Sequence, residues 1–226
     1  MREIVFDTET TGLDPRDGHR IVELAGIEMV ERVPTGRFVH YYFNPMRSVP
    51  AEVEAIHGLS EDFLADKPVF AATARELVAF LGDAMLVAHN APFDMRFLNF
   101  ELARAGLAEI APGRVIDTLE LARKRFPGAK HSLDALCTRF GIDRSARVKH
   151  GALIDSELLA DVYVELTGGR QIGFSGFEMQ LLHAPEPAAR VARAAREFAV
   201  PPDELLAHMA FVDAMADPLW RKLDRL

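Results

Sequence analysis

The sequence predicts an α/β fold, a mixed β-sheet flanked by helices, with a C-terminal linker and a helical tail. Three observations carry that expectation. Three strand-like runs joined by short turn segments fill residues 4–43. From residue 70 onward, short apolar runs alternate with helical patterns. At Gly168-Gly169 the composition changes, and Gly, Ser and Pro enter a segment that carries no apolar period.

Taken in order, Ile4-Val5-Phe6 reads as a buried strand whose end is interrupted by Asp7 and Glu9. Residues 13–18 are turn chemistry, and 20–30 alternate well enough for a second strand. Val33-Pro34-Thr35-Gly36 reads as a tight connection, and the aromatic, β-branched run 38–43 as a third strand. Links this short imply an antiparallel meander. Residues 50–59 form a short helix or turn, and Ser60 before Glu61 and Asp62 looks like a capped helix start. Residues 70–81 place Leu77, Phe80 and Leu81 on one helical face. The wholly apolar run 84–88 is a central strand that leads into His89-Asn90 and a further helix. Residues 114–118 are a strand with a polar end, 119–126 a helix stopped by Pro127-Gly128, and 132–140 a helix capped by Ser132. A long helix then opens near Asp155 and runs to about Leu166. These boundaries give an ordered domain over residues 1–170, a linker over 171–190 and a helical tail over 191–226.

The chain has 226 residues, enough to bury a core without staples, and a net charge of −8. That charge argues against a protein that holds duplex DNA by phosphate contacts alone, since such proteins are normally basic. It permits an enzyme that takes a strand end into an acidic pocket whose field a bound cation reverses. The single cysteine, Cys137, excludes an internal disulfide and a cysteine-rich zinc site; its apolar helical setting marks it as core, and this usage fits a reducing cytosol. No stretch approaches the roughly 20 apolar residues of a membrane helix, and Asp7 and Glu9 break any signal-like layout. A cytoplasmic protein is the expectation.

Asp7 and Glu9 are two residues apart on a strand, so both project from the same face. Two carboxylates about 4 Å apart repel by roughly 4 kcal/mol at an effective dielectric near 20. A hard divalent cation is the usual remedy. A strand that has simply reached the surface would look the same, so the reading depends on what else the chain supplies. Asp94 stands at a strand-to-helix junction, and Asp155 in the first turn of the long helix, where the dipole favours an anion. Each has an ordinary reading as a helix-start acid, and His150 as a surface histidine.

Together, Asp7-Thr8-Glu9-Thr10-Thr11-Gly12, then His89-Asn90-Ala91-Pro92-Phe93-Asp94, then His150-Gly151-Ala152-Leu153-Ile154-Asp155, with four residues between its His and its Asp, resemble the DEDDh 3′–5′ exonucleases. The wording of residues 131–137 and 150–155 is similar to the epsilon-type proofreading subunits of bacterial DNA polymerase III. The resemblance implies a ribonuclease-H-like sheet. It assigns Asp7, Glu9, Asp94 and Asp155 to two divalent cations, Mg²⁺ or Mn²⁺, and His150 to general-base duty, which suits a side chain that titrates near neutral pH. Products would be nucleoside 5′-monophosphates released from single-stranded or frayed DNA 3′ ends. Thr10, Thr11 and Gly12 would bring backbone N–H groups and a small surface to the terminal nucleotide, Leu13 would wedge its base, and His57, Asn90 and Phe93 would line the pocket. The tail would tether the catalytic (alpha) subunit of the polymerase, with Trp220 as anchor, and residues 171–174 fall where a weak sliding-clamp motif is often found. The competing expectations are a free-standing exonuclease of the RNase T or oligoribonuclease type, acting on short RNA or DNA ends, and a subunit that has lost catalysis.

Overall fold

The computed structural model describes residues 1–145, 147, 149–168 and 200–216. Chain contacts divide it into two units, residues 1–172 and 173–226. In the first unit, β1 (Arg2–Thr10), β2 (Ile21–Val30) and β3 (Val33–Tyr42) form the antiparallel part of a five-stranded sheet. After α1 (Ala51–His57), α2 (Glu61–Leu64) and α3 (Phe70–Leu81) come β4 (Met85–Ala88), α4 (Ala91–Arg104) and β5 (Val115–Asp117). β4 runs parallel to β1, and β5 parallel to β4. The sheet order is β3-β2-β1-β4-β5, so β1 is the middle strand. β4 has a strand on either side and is buried, as its apolar run predicts. α5 (Thr118–Arg125), α6 (Leu133–Phe140) and α7 (Ala152–Leu166) complete the unit.

Two cores sandwich the sheet. Ile4 and Phe6 of β1 pack with Phe70, Leu77 and Phe97 from α3 and α4. Val5, on the opposite face, packs with Leu159, Ala160 and Tyr163 of α7. Period-two alternation therefore divides β1 between its two helical layers. The buried carboxylate of Glu3 accepts the Tyr163 hydroxyl at 2.6 Å, and Ser156 Oγ donates to the carbonyl of Ala25 at 3.4 Å. These contacts fix α7 over β1 and β2, Ser156 near its start and Tyr163 near its end. Cys137 is fully buried beside Leu136 and Val162, and Ser132 caps α6 by accepting the N–H of Ala135.

β3 departs from the expected connection. It begins at Val33, and the hairpin turn is Glu31-Arg32, both with left-handed φ of 51° and 64°. Pro34 and Gly36 lie within the strand and mimic a turn in the sequence; an edge strand accepts them because, among the described residues, no further strand pairs beyond it. Gly26 permits close packing in β2, where an added Cβ would meet Ile4 at 3.2 Å.

In the second unit the described residues form α8 (Pro202–Asp213). Leu205, Leu206, Met209 and Phe211 are exposed on it, and Val212 is buried. Trp220, the clamp-like segment 171–174 and the helical pattern around 191–198 lie outside the described residues. Among the described residues no helix is long and apolar enough to cross a membrane.

Candidate active site

The site forms where the C-terminal end of β1 meets the starts of α4 and α7. Asp7 and Glu9 lie within β1, which continues to Thr10, and face the α7 side in step with Glu3 and Val5. Asp94 belongs to the first turn of α4 and is buried. One of its oxygens accepts both the N–H of Thr8 at 3.1 Å and the Thr8 hydroxyl at 2.7 Å, so α4 is pinned to β1 at the carboxylate itself. Asp155 is buried in the first turn of α7. Two helix N-termini thus point at the same acidic cluster, each favouring an anion by about 0.3–1 kcal/mol. His150 is half exposed, on the segment before α7, and its backbone N–H reaches the carbonyl of Ile56 at 3.3 Å. Ligand atoms of Glu9, His150 and Asp155 lie within 4.8 Å of one another. All five residues of the motif set therefore converge.

The electrostatics are those of carboxylates short of counter-charge. Burial, then the charges of Asp94, Glu9, Asp155 and Glu23, hold Asp7 well above the usual carboxylate range. Burial, then Asp155, Glu23 and Asp94, raise Glu9 to about 8, against a smaller pull from Arg147. Burial raises Asp94 to about 7 even though its bonds to Thr8 oppose the shift. A donor set of clustered, oxygen-only groups that resist ionising alone fits hard divalent cations. The pH dependence follows. Groups whose pKa is raised by folding take up protons in the native state, so the metal-free protein loses stability as pH rises from the ordinary carboxylate range through about 7–8. Cation binding must release those protons. Calorimetric titration with Mn²⁺ should show tighter binding at pH 8.5 than at pH 6.5, with proton release visible as a dependence on buffer ionisation enthalpy. Equal affinity at both values would contradict the raised carboxylates.

Around this centre the nucleotide-facing candidates separate by position. Thr10 Oγ1 donates to the carbonyl of Gly12 at 2.7 Å. Thr11 is fully buried; its N–H goes to the carbonyl of Arg20, and its hydroxyl accepts from the Arg20 N–H. Thr11 therefore holds the loop and has no backbone N–H to offer a nucleotide, a correction to the expectation for that residue. A Cβ added at Gly12 would lie 2.3 Å from the nearest ring atom of His19, so a larger residue there would have to displace that side chain. Leu13 is 79% exposed at the tip, and Arg96 of α4 donates to its carbonyl at 3.1 Å. Arg20 anchors the return of the loop by a bidentate pair with buried Glu101. His57 is buried, with Nδ1 accepting the N–H of Leu59 at 3.0 Å and Nε2 without a partner among the described residues. Asn90 is exposed and left-handed, with φ 65°. Phe93 is partly buried against the core beside Phe97. One oxygen of Asp117 caps α5 at Leu119 and also accepts the Asn90 N–H at 3.0 Å, which supports the turn before α4.

Three site residues escaped the sequence reading. Thr8, between the two carboxylates, positions Asp94. Glu23 lies directly opposite Glu9 in the β1–β2 register, is buried, and bonds His40 Nε2 at 2.7 Å. An acid inside the otherwise apolar run 21–25 was its only signal. Arg147 contacts both Asp155 and His150.

The chain matches the exonuclease (RNase T) family over residues 4–163. DNA polymerase III subunit epsilon of Rickettsia prowazekii is 48% identical over 225 residues, spanning 94% of this chain and 96% of that protein. The epsilon subunit of Escherichia coli is 39% identical, spanning 97% of each. The chain belongs to the exonuclease family, among the DNA polymerase III epsilon subunits. It is a 3′–5′ proofreading exonuclease. Among solved structures, exonuclease X in complex with 5′ overhanging duplex DNA aligns with a TM-score of 0.58 at 28% identity, covering 73% of this chain and 90% of that one. The nuclease domain of 3'hExo, a DEDDh family member bound to rAMP, aligns at 0.64 and 17% identity, over 74% of this chain and 91% of that one, and shares the fold. The exonuclease family depends on divalent metal, and the acidic cluster here suits that dependence.

Proposed function

We propose that this chain trims mispaired 3′ termini for a replicative DNA polymerase by hydrolysis assisted by two divalent cations, Mg²⁺ or Mn²⁺. The observation that carries the reading is the convergence of Asp7, Glu9, Asp94, Asp155 and His150 at the end of β1. The four carboxylates would hold the cations, which supply Lewis-acid charge to the scissile phosphate and to the attacking and leaving oxygens. The chain's own groups do the rest. His150, half exposed beside Glu9 and Asp155, is positioned to take the proton of the attacking water. Thr8 fixes Asp94 and so holds α4 against β1. Thr10, Gly12 and exposed Leu13 would bound the terminal nucleotide, with Leu13 against its base and Thr11 supporting the loop from within. His57, Asn90 and Phe93 would complete the pocket. A pocket built for one terminal nucleotide selects frayed ends, because unpairing costs less at a mispair. Hydrolysis on the 3′-oxygen side of the terminal phosphate leaves nucleoside 5′-monophosphates.

The tail supplies the partner reading. The relatives named above are polymerase subunits. Leu205, Leu206, Met209 and Phe211 leave α8 with exposed apolar side chains, of the kind that dock in a partner's groove. Residues 1–170 would then be the nuclease, 171–190 a linker, and 191–226 the segment that holds the polymerase catalytic (alpha) subunit in the cytoplasm at the fork. A tether of this kind raises the local concentration of the nuclease at the primer end. Residues 171–174 would be the segment that contacts the sliding clamp.

Deleting residues 173–226 tests the division. The shortened protein should keep nucleoside 5′-monophosphate release from single strands within about twofold, yet fail to co-purify with the polymerase catalytic subunit. Retained co-purification would move the docking surface into the first unit. A full-length chain indifferent to that subunit would favour a free-standing exonuclease.

A further inference from the structure

Arg147 lies between α6 and α7, and its side chain is 9% exposed. Its Nε donates to Asp155 Oδ1 at 2.5 Å, and its Nη2 to Asp155 Oδ2 at 2.7 Å. Nη1 donates to Asp134 Oδ1 at 2.9 Å, and Nη2 also reaches His150 Nδ1 at 2.8 Å. One guanidinium therefore spans a carboxylate read as a cation ligand and the histidine read as the base.

The histidine contact has a chemical consequence. A guanidinium has donors and no acceptor, so Nδ1 of His150 must offer it a lone pair. A neutral ring in that state carries its proton on Nε2 and has no second lone pair for a water. The same Nδ1 lies 3.2 Å from Asp155 Oδ2, a contact that needs a proton on Nδ1 instead. The neutral ring satisfies one contact or the other. With Arg147 engaged, the shorter contact wins and Nε2 is blocked.

We infer that Arg147 is a built-in counter-cation that holds Asp155 and His150 in a resting arrangement and is displaced when a divalent cation binds at Asp155. On release, the half-exposed ring gives its Nε2 proton to solvent and takes one from solvent on Nδ1, which then donates to Asp155 Oδ2, and the Nε2 lone pair becomes available to the attacking water. Asp134 gives the freed guanidinium a place to stay, since it already accepts from Nη1 and is half exposed. Arg144 shares that same Asp134 oxygen at 2.7 Å, so the loop remains attached while Arg147 shifts. The arrangement keeps the base out of action until the cation is present. This inference rests on Asp155 being a cation ligand.

The test uses the full-length chain at pH 8, with Mn²⁺ binding measured by calorimetry and the His150 ring followed by ¹⁵N NMR with and without Mg²⁺. Arg147→Met removes the competitor and should bind Mn²⁺ about tenfold more tightly, a change of about 1.4 kcal/mol. Its His150 should carry the proton on Nδ1 even without metal. The unaltered protein should show Nε2–H without metal and Nδ1–H once Mg²⁺ is added. Unchanged or weaker Mn²⁺ affinity in Arg147→Met, or a His150 tautomer that ignores Mg²⁺, would overturn the inference. If Arg147→Met lacks a cooperative melting transition, Arg147→Lys takes its place: it keeps the charge but loses the two-pronged bond. It should still bind Mn²⁺ more tightly than the unaltered chain, and equal or weaker affinity again overturns the role. No Mn²⁺ binding by the unaltered chain would remove the ligand reading of Asp155 and the Arg147 role together, whereas equal binding by both proteins removes only the latter.

Discussion

Asp7→Asn should abolish nuclease activity and, in EDTA at pH 8, raise the melting temperature. Asp7 carries the most crowded charge of the site, facing Asp94, Glu9, Asp155 and Glu23 while being desolvated itself. An amide of nearly the same shape removes one charge from that cluster and leaves the β1–β2 ladder intact. Each 1 kcal/mol of relieved repulsion corresponds to about 2–4 °C for a domain of this size. The same change removes a ligand, and several kcal/mol of lost cation-derived stabilisation corresponds to a fall in turnover of about 10³ or more. The stabilisation should fade as pH falls into the ordinary carboxylate range, because the unfolded chain then also carries the Asp7 proton and folding no longer has to take one up. Single-turnover digestion and calorimetric melting in EDTA check both halves. Near-normal activity would remove Asp7 from the chemistry, and a lower melting temperature in EDTA would show that its charge is satisfied by something other than a cation.

His150→Ala should lower turnover by about 10²–10⁴, the usual range for a positioned acid–base group, with Mn²⁺ affinity nearly unchanged. The geometry makes this a sharp test, since His150 lies close enough to Glu9 and Asp155 to be a ligand as well as a base. The two roles separate in the binding isotherm. A ligand lost would weaken Mn²⁺ binding along with turnover. A base lost would leave binding in place while turnover falls. His150 is also half exposed and contributes no core packing, so the variant should melt like the parent. Retained turnover would end the base assignment.

How much of this was legible in the sequence follows from the range of each interaction. The period of Phe70–Leu81, the Ser132 cap and the place of Asp155 in the first turn of α7 are local features, and the structure has them where the sequence puts them. So are Asp7 and Glu9, because a strand's alternation fixes their shared face without knowledge of the rest. The start of β3 was hidden because Pro34 and Gly36 imitate a turn, while the real turn uses Glu31 and Arg32. Whether a proline breaks a strand depends on which neighbours that strand has, and sheet order is not a local property. Glu23 and Arg147 were missed for the same reason at the site. Glu23 matters through register with Glu9, and Arg147 through a bridge from Asp134 to Asp155 that only folding assembles. The family motifs point to Asp7, Glu9, Asp94, Asp155 and His150 as a set, whereas the groups that support them are written in pairings between distant segments.

The most direct measurement is digestion of a 5′-labelled single strand and of a matched duplex ending in a 3′ mispair, in Mg²⁺, in Mn²⁺ and in EDTA, beside the Asp7→Ala variant. The account predicts a ladder shortening from the 3′ end, faster at the mispair than at a paired terminus, absent in EDTA and absent in the variant. Digestion that persists in EDTA, or in Asp7→Ala with metal present, would contradict the carboxylate-held cation site on which the whole assignment of residues depends.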